Sequence, residues 1–219
     1  MNVLIAGAGR LGAQTAQVFA QLRNKVVLIE SDDDRVAELA GRLPGVRLLS
    51  GDACDPAVLE HAGARAAELV VAVTGDDADN LVISLLAARR FSVPRVAARV
   101  NDAENAWLFD ARWGVDVAVP AAVPLISLIE EATATTDTVA LLRLSRAGVD
   151  VIETTITPRS KAAGRALGEV VLPEGTVVAT IVRDGRPTVP DPAVRLRAGD
   201  EILLVAHSAT ERDIRAAFQ

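Results

Sequence analysis

Three glycines and one acidic residue within the first thirty positions have the types and the spacing of a phosphate- and ribose-binding site. Gly7, Gly9 and Gly12 follow a short apolar run, and Glu30 ends the next apolar run. Gly7 permits a tight turn, Gly9 lets the backbone approach a pyrophosphate, and Gly12 lets a helix pack closely on the strand. A carboxylate at Glu30 accepts hydrogen bonds from ribose hydroxyls and repels a 2′-phosphate. NAD(H) or an adenosine nucleotide is therefore expected rather than NADP(H).

Two arginines are candidates for contact with the phosphates. Arg10 stands inside the glycine loop, where its guanidinium could form two hydrogen bonds to phosphate oxygens. The alternative is that Arg10 is simply an exposed arginine at the N-terminus of the helix. The helix that begins with Arg10, Leu11 and Gly12 offers its unpaired N–H groups to the same anion. Arg99 ends the fifth predicted strand and could supply a second cation, or a salt bridge at the strand end.

Small and acidic residues follow the third and fourth predicted strands. Asp52 and Ala53 come after the third strand, so Asp52 could reach the adenine or its ribose, or could cap a turn. Thr74 and Gly75 end the fourth strand, where small residues allow close approach of a ligand. The carboxyl ends of parallel strands share one edge of a sheet, so these residues are expected to line one crevice.

Catalytic groups are scarce in comparison with this binding inventory. The chain has no tyrosine, one cysteine and two histidines, His61 and His207, each of which follows an element away from the expected crevice. Cys54 has no thiolate-activating neighbour in the sequence and is expected to be a small buried residue. No cysteine, histidine or carboxylate spacing indicates a metal site. A binding protein is therefore favoured over an enzyme, and a small NAD(H)-dependent oxidoreductase is the alternative.

The elements that would position these residues alternate between apolar runs and amphipathic helical segments up to about residue 133. Aspartates open the expected helices, which run from Asp32 to Arg42, from Asp76 to Arg90, and from Asn101 to near Trp113. This rhythm predicts a Rossmann-like, doubly wound parallel sheet in residues 1–133. The predicted strands are Asn2–Ala6, Lys25–Glu30, Val46–Ser50, Glu68–Thr74, Arg95–Val100 and Val115–Val119.

After residue 133 the pattern changes to strands separated by turn signals such as Ala147-Gly148 and Asp184-Gly185. A small α+β domain is predicted for residues 138–219, joined to the first domain within residues 130–138. Its two short helices are expected at Ala163–Glu169 and Ala209–Phe218. Its predicted strands are Thr138–Ser145, Asp150–Thr157, Thr176–Arg183 and Glu201–Ala206.

Composition narrows the class of protein and of partner. The 219 residues carry a net charge of −6, so a nucleic acid is not an expected partner. Met1 leads directly into the first strand, and no apolar run approaches the roughly 20 residues that span a bilayer. A single cysteine fits a reducing compartment. These features predict a cytoplasmic protein without a leader peptide.

The glycine loop, Glu30, Gly51-Asp52-Ala53, the segment from Thr74 to Asn80, and Ala97-Ala98-Arg99-Val100 together resemble the N-terminal domain of TrkA-type regulators, the RCK or KTN family. The later part resembles the C-terminal domain of the same family over its whole length. The segments that carry this second resemblance are Ala163-Gly164-Arg165, Leu172-Pro173-Glu174-Gly175, Arg183-Asp184-Gly185 and Leu196 to Val205.

The resemblance implies a cytoplasmic regulatory subunit that lies at the inner face of the membrane on a Trk- or Ktr-type potassium uptake subunit. It further implies NAD(H) or ATP/ADP in the crevice, and self-association into dimers and a higher ring whose shape gates the pore. Arg10 would then contact the distal phosphates of ATP, Glu30 would hold the ribose, and Arg99 would lie on the phosphate side. Some relatives bind a second small effector at the C-terminal domain.

One segment departs from the family pattern, and one aromatic group has two interpretations. Some relatives carry a metal-supporting carboxylate after the sixth strand, whereas this chain has Val119-Pro120-Ala121 there, which favours NAD(H) over a metal–ATP complex. Trp107, Phe109 and Trp113 do not form one helical stripe. Core packing is the expected role of these three aromatic residues, and a contact between protomers is the alternative.

Overall fold

The computed structural model describes residues 1–133, 136–144 and 148–219. Contacts divide the chain into two compact units, Met1–Ala122 and Val123–Gln219. The division falls before the join that the sequence predicts at residues 130–138, and the assignment of domains to 1–133 and 138–219 stays a prediction. Parts of three predicted features lie outside the described residues: Ala134 and Thr135 of the join, Ser145 of a strand, and Ala147 of a turn.

The first unit is built on a six-stranded sheet in which every pair of neighbours is parallel. The strand order 3-2-1-4-5-6 confirms the predicted Rossmann-like fold, and the first three strands have the predicted bounds. Buried parallel strands such as β1 read as continuous apolar runs, which is why the sequence located them well. The strands are β1 (Asn2–Ala6), β2 (Lys25–Glu30), β3 (Val46–Ser50), β4 (Leu69–Ala72), β5 (Val96–Val100) and β6 (Val117–Pro120).

Helices cover both faces of this sheet, and aspartates begin most of them. The side chain of Asp32 accepts hydrogen bonds from the first-turn amides of the second helix, and Asp55 and Asp76 do so for the third and fourth. Each such cap satisfies amides that have no acceptor within the helix. The helices are α1 (Arg10–Gln21), α2 (Asp33–Leu39), α3 (Pro56–Ala62) and α4 (Asp77–Leu85), and α4 continues as a π-helical turn over Leu86–Arg90.

The segment after β5 differs from the single helix that the sequence predicts. Two 3-10 helices, Ala103–Leu108 and Ala111–Trp113, replace it. Between them Phe109 is buried in the core, and Asp110 caps the second helix by accepting from the amide of Arg112 at 2.8 Å. Burial of one aromatic ring and a new N-cap therefore interrupt the helical path.

The three aromatic residues of this segment do not share one environment. Phe109 is 6% exposed and packs in the core, as the sequence predicts. Trp107 is 70% exposed and Trp113 is 36% exposed, so the core role is wrong for Trp107. The sequence spacing alone did not reveal which of these side chains would be buried.

The second unit is an α+β structure around a five-stranded antiparallel sheet of order 10-9-11-8-7. The predicted α+β class is confirmed. The helix predicted at Ala163–Glu169 is only a 3-10 turn at Leu167–Glu169. The sequence also did not predict the helix that begins this unit, Val123–Ala132, or the short strand Arg186–Thr188. The elements are α5 (Val123–Ala132), β7 (Thr138–Leu144), β8 (Val149–Thr155), β9 (Thr176–Arg183), β10 (Arg186–Thr188), β11 (Glu201–Ala206) and α6 (Glu211–Phe218).

The two helices of the second unit differ in how far they are buried. Ile214 and Phe218 of α6 are fully buried, and Thr210 and Asp213 form a reciprocal capping box at its start. By contrast, α5 leaves Leu125, Leu128 and other apolar side chains more than half exposed. Its apolar residues do not form a single stripe, so periodicity did not reveal it. Among the described residues, no helix has the length and apolar character required to cross a membrane.

Candidate functional site

The glycine loop between β1 and α1 requires its first and last glycines. Gly7 has a φ of 97°, and a Cβ there would stand 2.9 Å from the backbone of Thr74. A Cβ on Gly12 would stand 1.8 Å from the carbonyl oxygen of Gly7. Gly12 is buried, so the first turn of α1 packs directly on the loop. These two positions are therefore closed to any side chain.

The N-terminus of α1 has no side-chain cap. Its N-cap is Gly9, which makes no side-chain hydrogen bond, and no acidic residue lies in the first turn. The amides of Arg10, Leu11 and Gly12 occupy the first helical positions, where no acceptor exists within the helix. A Cβ on Gly9 would meet nothing within 4 Å, so the N-cap position itself is open. This end of α1 is suited to an anion.

Glu30 lies at the carboxyl end of β2 and already holds the glycine loop. Its Oε2 accepts from the amide of Ala8 at 2.6 Å, and its Oε1 accepts from the amides of Ser31 and Asp32 at 2.8 and 3.1 Å. A carboxylate oxygen can accept two hydrogen bonds. Oε2 therefore retains capacity for a ligand hydroxyl while it positions the loop, a structural role that the sequence did not predict.

The loop after β3 places an acid and a thiol beside this edge of the sheet. Asp52 accepts from the amide of Cys54 at 2.8 Å through Oδ1. Burial raises the pKa of Cys54 to about 12, and the nearby carboxylates of Asp79 and Asp52 act in the same direction. The thiol therefore stays protonated at neutral pH, and a protonated thiol is a poor nucleophile.

Asn80 joins the ends of β4 and β5, and the sequence-based site did not include it. It is fully buried in α4; its Oδ1 accepts from both the amide and the hydroxyl of Thr74 at 2.9 Å. Its Nδ2 donates to the carbonyl oxygen of Arg99 at 3.0 Å. Asn80 thus fixes the backbone at two candidate residues. The segment from Thr74 to Asn80, part of the family resemblance, carried the signal for it.

Arg99, near the carboxyl end of β5, is a cation at the same edge of the sheet. Its Nε is buried and has no hydrogen-bond partner among the described residues. A buried polar atom without a partner is rare in folded proteins, because it has lost its water and gained no replacement. An acceptor that enters beside Arg99 would remove this cost.

One open cavity of about 420 Å³ brings most of the predicted residues together at the carboxyl ends of β1 to β5. Arg10, Leu11 and Gly12 do not line it: the first two are exposed at the start of α1, and Gly12 packs under the loop. The predicted residues in its lining are Gly7, Gly9, Glu30, Asp52, Ala53, Thr74, Gly75 and Arg99. The polar or small lining residues that were not predicted as site residues are Ser31, Gly51, Cys54, Asp76 and Asp79.

The lining of this cavity carries charges of both signs. Glu30, Asp52, Asp76 and Asp79 contribute carboxylates, which accept hydrogen bonds from hydroxyl and amino groups. The side chain of Arg99, also in the lining, is a donor and attracts anions, whereas the uncapped amides of α1 belong to residues outside this lining. Within the described residues, no cluster of three or more histidine, cysteine or acidic side chains is arranged to hold a metal ion.

Two family models match the chain in order. The model described as the TrkA-N domain matches residues 3–121, and the model described as the TrkA-C domain matches residues 151–219. A Trk system potassium uptake protein TrkA of Mycobacterium tuberculosis is 38% identical over 214 residues, which cover 98% of this chain and 96% of the relative. A TrkA homolog of Archaeoglobus fulgidus is 32% identical over 227 residues, and the match covers this chain fully but 50% of that relative.

Solved structures share the fold at low sequence identity. The RCK domain of GsuK matches 99% of this chain and 47% of its own, with a TM-score of 0.59 and 16% identity. A GsuK channel bound to NAD matches 94% of this chain and 37% of its own, with a TM-score of 0.60 and 18% identity. GsuK bound to ADP matches 62% of this chain and 35% of its own, with a TM-score of 0.52 and 20% identity.

Proposed function

This chain belongs to the TrkA family, and from that premise we propose that it is a nucleotide-sensing regulatory subunit of a potassium uptake system. The names of its relatives from Mycobacterium tuberculosis and Archaeoglobus fulgidus support the transport role. In this proposal the protein lies at the cytoplasmic face of the membrane on a Trk- or Ktr-type potassium transporter subunit. It acts by binding and not by catalysis.

The observation that carries the proposal is the pair of unsatisfied donors at the carboxyl edge of the parallel sheet. The N-terminus of α1 has no side-chain cap, and Nε of Arg99 is buried without a partner in the part of the chain that the structure describes. The other helices that open at this edge are capped by aspartates. A phosphate group would supply acceptors to both donors.

The ligand we propose is NAD(H) or ATP/ADP, with its phosphates on the loop and its nucleoside on the acidic side. Amides from Gly9 to Gly12 and the side chain of Arg10 would contact the phosphates. Oε2 of Glu30 would accept from a ribose hydroxyl, and a 2′-phosphate would meet its negative charge. Asp52, Ala53 and Thr74 would line the adenosine. The NAD-bound and ADP-bound GsuK neighbours are consistent with either choice.

Regulation then requires that the protein adopt two shapes with different nucleotide affinities. We propose that copies of the chain associate into dimers and a ring. The ring changes shape when the bound nucleotide changes, and this change of shape gates the transporter subunit. The exposed apolar side chains of α5, among them Leu125, Leu128 and Ile129, supply surface for such association. The further effector expected at the C-terminal domain stays a prediction.

The alternative, a small NAD(H)-dependent oxidoreductase, has less support from the cavity. The thiol that lines it, Cys54, has a pKa raised to about 12, and its burial and acidic neighbours keep it protonated. The acidic residues along the edge mostly accept hydrogen bonds from backbone amides, as Asp76 and Asp52 do. These are positioning contacts, and proton transfer requires a group that is free to exchange a proton.

Calorimetric titration of the full chain with NADH, NAD, ATP and ADP, with light scattering on each complex, tests the proposal. We expect binding together with a ligand-dependent change in assembly or shape. We also expect Arg10→Ala to weaken ATP more than ADP, because the outer phosphate is the extra partner; equal losses would remove that role. Tight binding of NAD(H) by an unchanged monomer, or turnover of NADH with carbonyl or flavin substrates, would overturn the regulatory function.

A further inference from the structure

A second cavity, of about 500 Å³, lies in the first unit on the face of the sheet that α3 crosses. It is lined by the amino-terminal halves of β1 and β2, where Leu4 pairs with Val27 and Val27 pairs with Arg47 of β3. The cavity of about 420 Å³ beside the glycine loop, where we propose that the nucleotide binds and which we call the nucleotide cavity, is lined by residues at the opposite, carboxyl ends of the strands. The two cavities have no lining residue in common among the described residues. We call this second cavity the basal groove.

The basal groove exists because the crossover from β3 to β4 is short and carries small side chains. Helix α3 has seven residues and ends at Gly63, which has a φ of 96°. A 3-10 turn, Ala64–Ala66, follows directly. The crossover faces the groove with Ala62, Ala66 and Ala67. Alanine side chains are too short to fill the space above the strands, and a close-packed interior would not leave such a space open.

The floor of the basal groove is apolar. Leu4 is 3% exposed and belongs to the core, and Val27 beside it is half-buried. Side chains two positions apart on a strand lie on the same face, so Lys25 flanks Val27 on this face. Both the volume and the apolar lining are in the range of small-molecule sites.

Of the residues that the structure describes, two cations, Lys25 and Arg47, and no acidic residue line the basal groove. Nη2 of Arg47 donates to the carbonyl oxygens of His61 and Ala62, at 3.3 and 3.0 Å, which holds the guanidinium against the end of α3. Lys25 is exposed beside the groove and has no ion pair among the described residues. This sign of charge is unusual for the region, because residues 1–133 contain 18 acidic and 12 basic residues.

From this combination we propose that the basal groove binds a small amphiphilic anion, an apolar ring or short chain that carries one carboxylate or sulfonate. The apolar body would lie on Leu4 and Val27, under Ala66, and the acidic group would lie between Lys25 and Arg47. The site is separate from the nucleotide cavity and does not depend on the nucleotide's identity.

A fluorescence titration of the full chain with 8-anilinonaphthalene-1-sulfonate tests the proposal. We expect one saturable site whose affinity falls by roughly tenfold in Ala66→Phe, because the added ring fills the volume that the probe requires. The matched control is Ala37→Phe, an exposed alanine of α2 that lines neither cavity, and it should leave the affinity unchanged. An unaltered nucleotide affinity and an unaltered circular dichroism spectrum establish that each variant is folded. If Ala66→Phe does not fold, Ala66→Leu replaces it in the titration.

The charge requirement is tested separately with Lys25→Gln. We expect about a threefold loss of affinity for the sulfonate probe, the size of one exposed charge interaction. The uncharged analogue N-phenyl-1-naphthylamine should bind Lys25→Gln and the unaltered chain equally. Arg42→Gln removes the same charge away from the basal groove and should have no effect.

Three results would overturn the proposal. The first is the absence of saturable binding. The second is binding that Ala66→Phe leaves unchanged, which would mean adsorption elsewhere, such as on α5. The third is competitive displacement by ATP or NADH, which would place the probe in the nucleotide cavity.

Discussion

Two arginines at strand ends, one in each unit, differ in how their charge is satisfied. Nε and Nη2 of Arg183 donate to the two carboxylate oxygens of Asp200, each at 2.7 Å, and Asp200 is 1% exposed. Nε of Arg99 is buried without a partner among the described residues. The antiparallel unit therefore satisfies Arg183 internally, whereas in the parallel unit Arg99 lines an open cavity and its buried Nε has no partner among the described residues. The first arrangement stabilises a fold, and the second is suited to a ligand.

The largest effect is expected from a negative charge at the proposed phosphate position. Gly9→Asp introduces no clash, because a Cβ there meets nothing within 4 Å, and aspartate is a favourable N-cap. Two like charges 4 Å apart repel by about 4 kcal/mol at an effective dielectric constant of 20. Nucleotide affinity should fall by more than about 100-fold in calorimetric titrations.

Gly9→Asn is the matched control for that variant, since it has the same shape without the charge, and it should retain much more of the affinity. Equal losses in Gly9→Asp and Gly9→Asn would mean that bulk and not charge excludes the ligand. Full retention in both would remove the phosphate from the N-terminus of α1.

The paired arginine should matter for stability and not for nucleotide binding. Asp200→Ala leaves Arg183 without its carboxylate and should lower the stability of the second unit by about 3 kcal/mol. Hydrogen exchange of β9 and β11, followed by mass spectrometry, reports this loss locally. The double variant Arg183→Met/Asp200→Leu should recover part of the stability, because no charge is then left unpaired. A loss in Asp200→Ala below about 1 kcal/mol would contradict the structural role of the pair.

The unpaired arginine should show the opposite pattern. Arg99→Met removes a donor that makes no described hydrogen bond, so the unfolding free energy should not fall. Nucleotide affinity should drop by about 2 kcal/mol, or roughly 30-fold, the value of a hydrogen bond to a charged group. Arg95→Gln, an exposed arginine just before the same strand, is the control. If Arg99→Met destabilises the protein and leaves affinity unchanged, the contrast between Arg99 and Arg183 is wrong.

The smallest expected effect is a pH dependence of the stability that the Arg183–Asp200 ion pair gives to the second unit. Burial acts to raise the pKa of Asp200, but hydrogen bonds from Arg183 and from the amide of Arg197 outweigh it and lower the pKa. A carboxyl group with a lowered pKa stabilises the fold above its unfolded value of about 3.9, and this stability is lost as the pH falls through the folded pKa. The second unit should therefore be insensitive to this group between pH 5 and 8 and weaken below about pH 4.

Urea unfolding of the chain and of Asp200→Asn between pH 7 and pH 3 checks this dependence. The difference in unfolding free energy between the two proteins should shrink as the pH falls. A difference that is constant across this range would mean that Asp200 does not titrate with folding.

The sequence predicted those features in which local pattern and burial agree. β1 and β2 have the predicted bounds because their central residues are buried and read as apolar runs, and the half-buried apolar residues of the edge strand β3 gave the same signal. Helix N-termini at Asp32 and Asp76 were also predicted, since caps act over two or three residues. The prediction failed where the sequence pattern did not match the burial of the residues. Helix α5, whose apolar side chains are exposed, was not predicted, and the single helix predicted from Asn101 to near Trp113 is two 3-10 helices.

The sequence alone determined the glycine loop, the acid at the end of β2 and the alternation of strands and helices, because each depends on residue type and spacing over a short stretch of chain. Only the tertiary structure decided how the polar groups are distributed. Hydrogen bonds over long sequence separations show that Glu30 holds Ala8 and that Asn80 joins β4 to β5, and Nε of Arg99 is left without a partner in the described part of the chain. The basal groove is likewise a product of packing, since the space depends on how far alanine side chains reach across a sheet face.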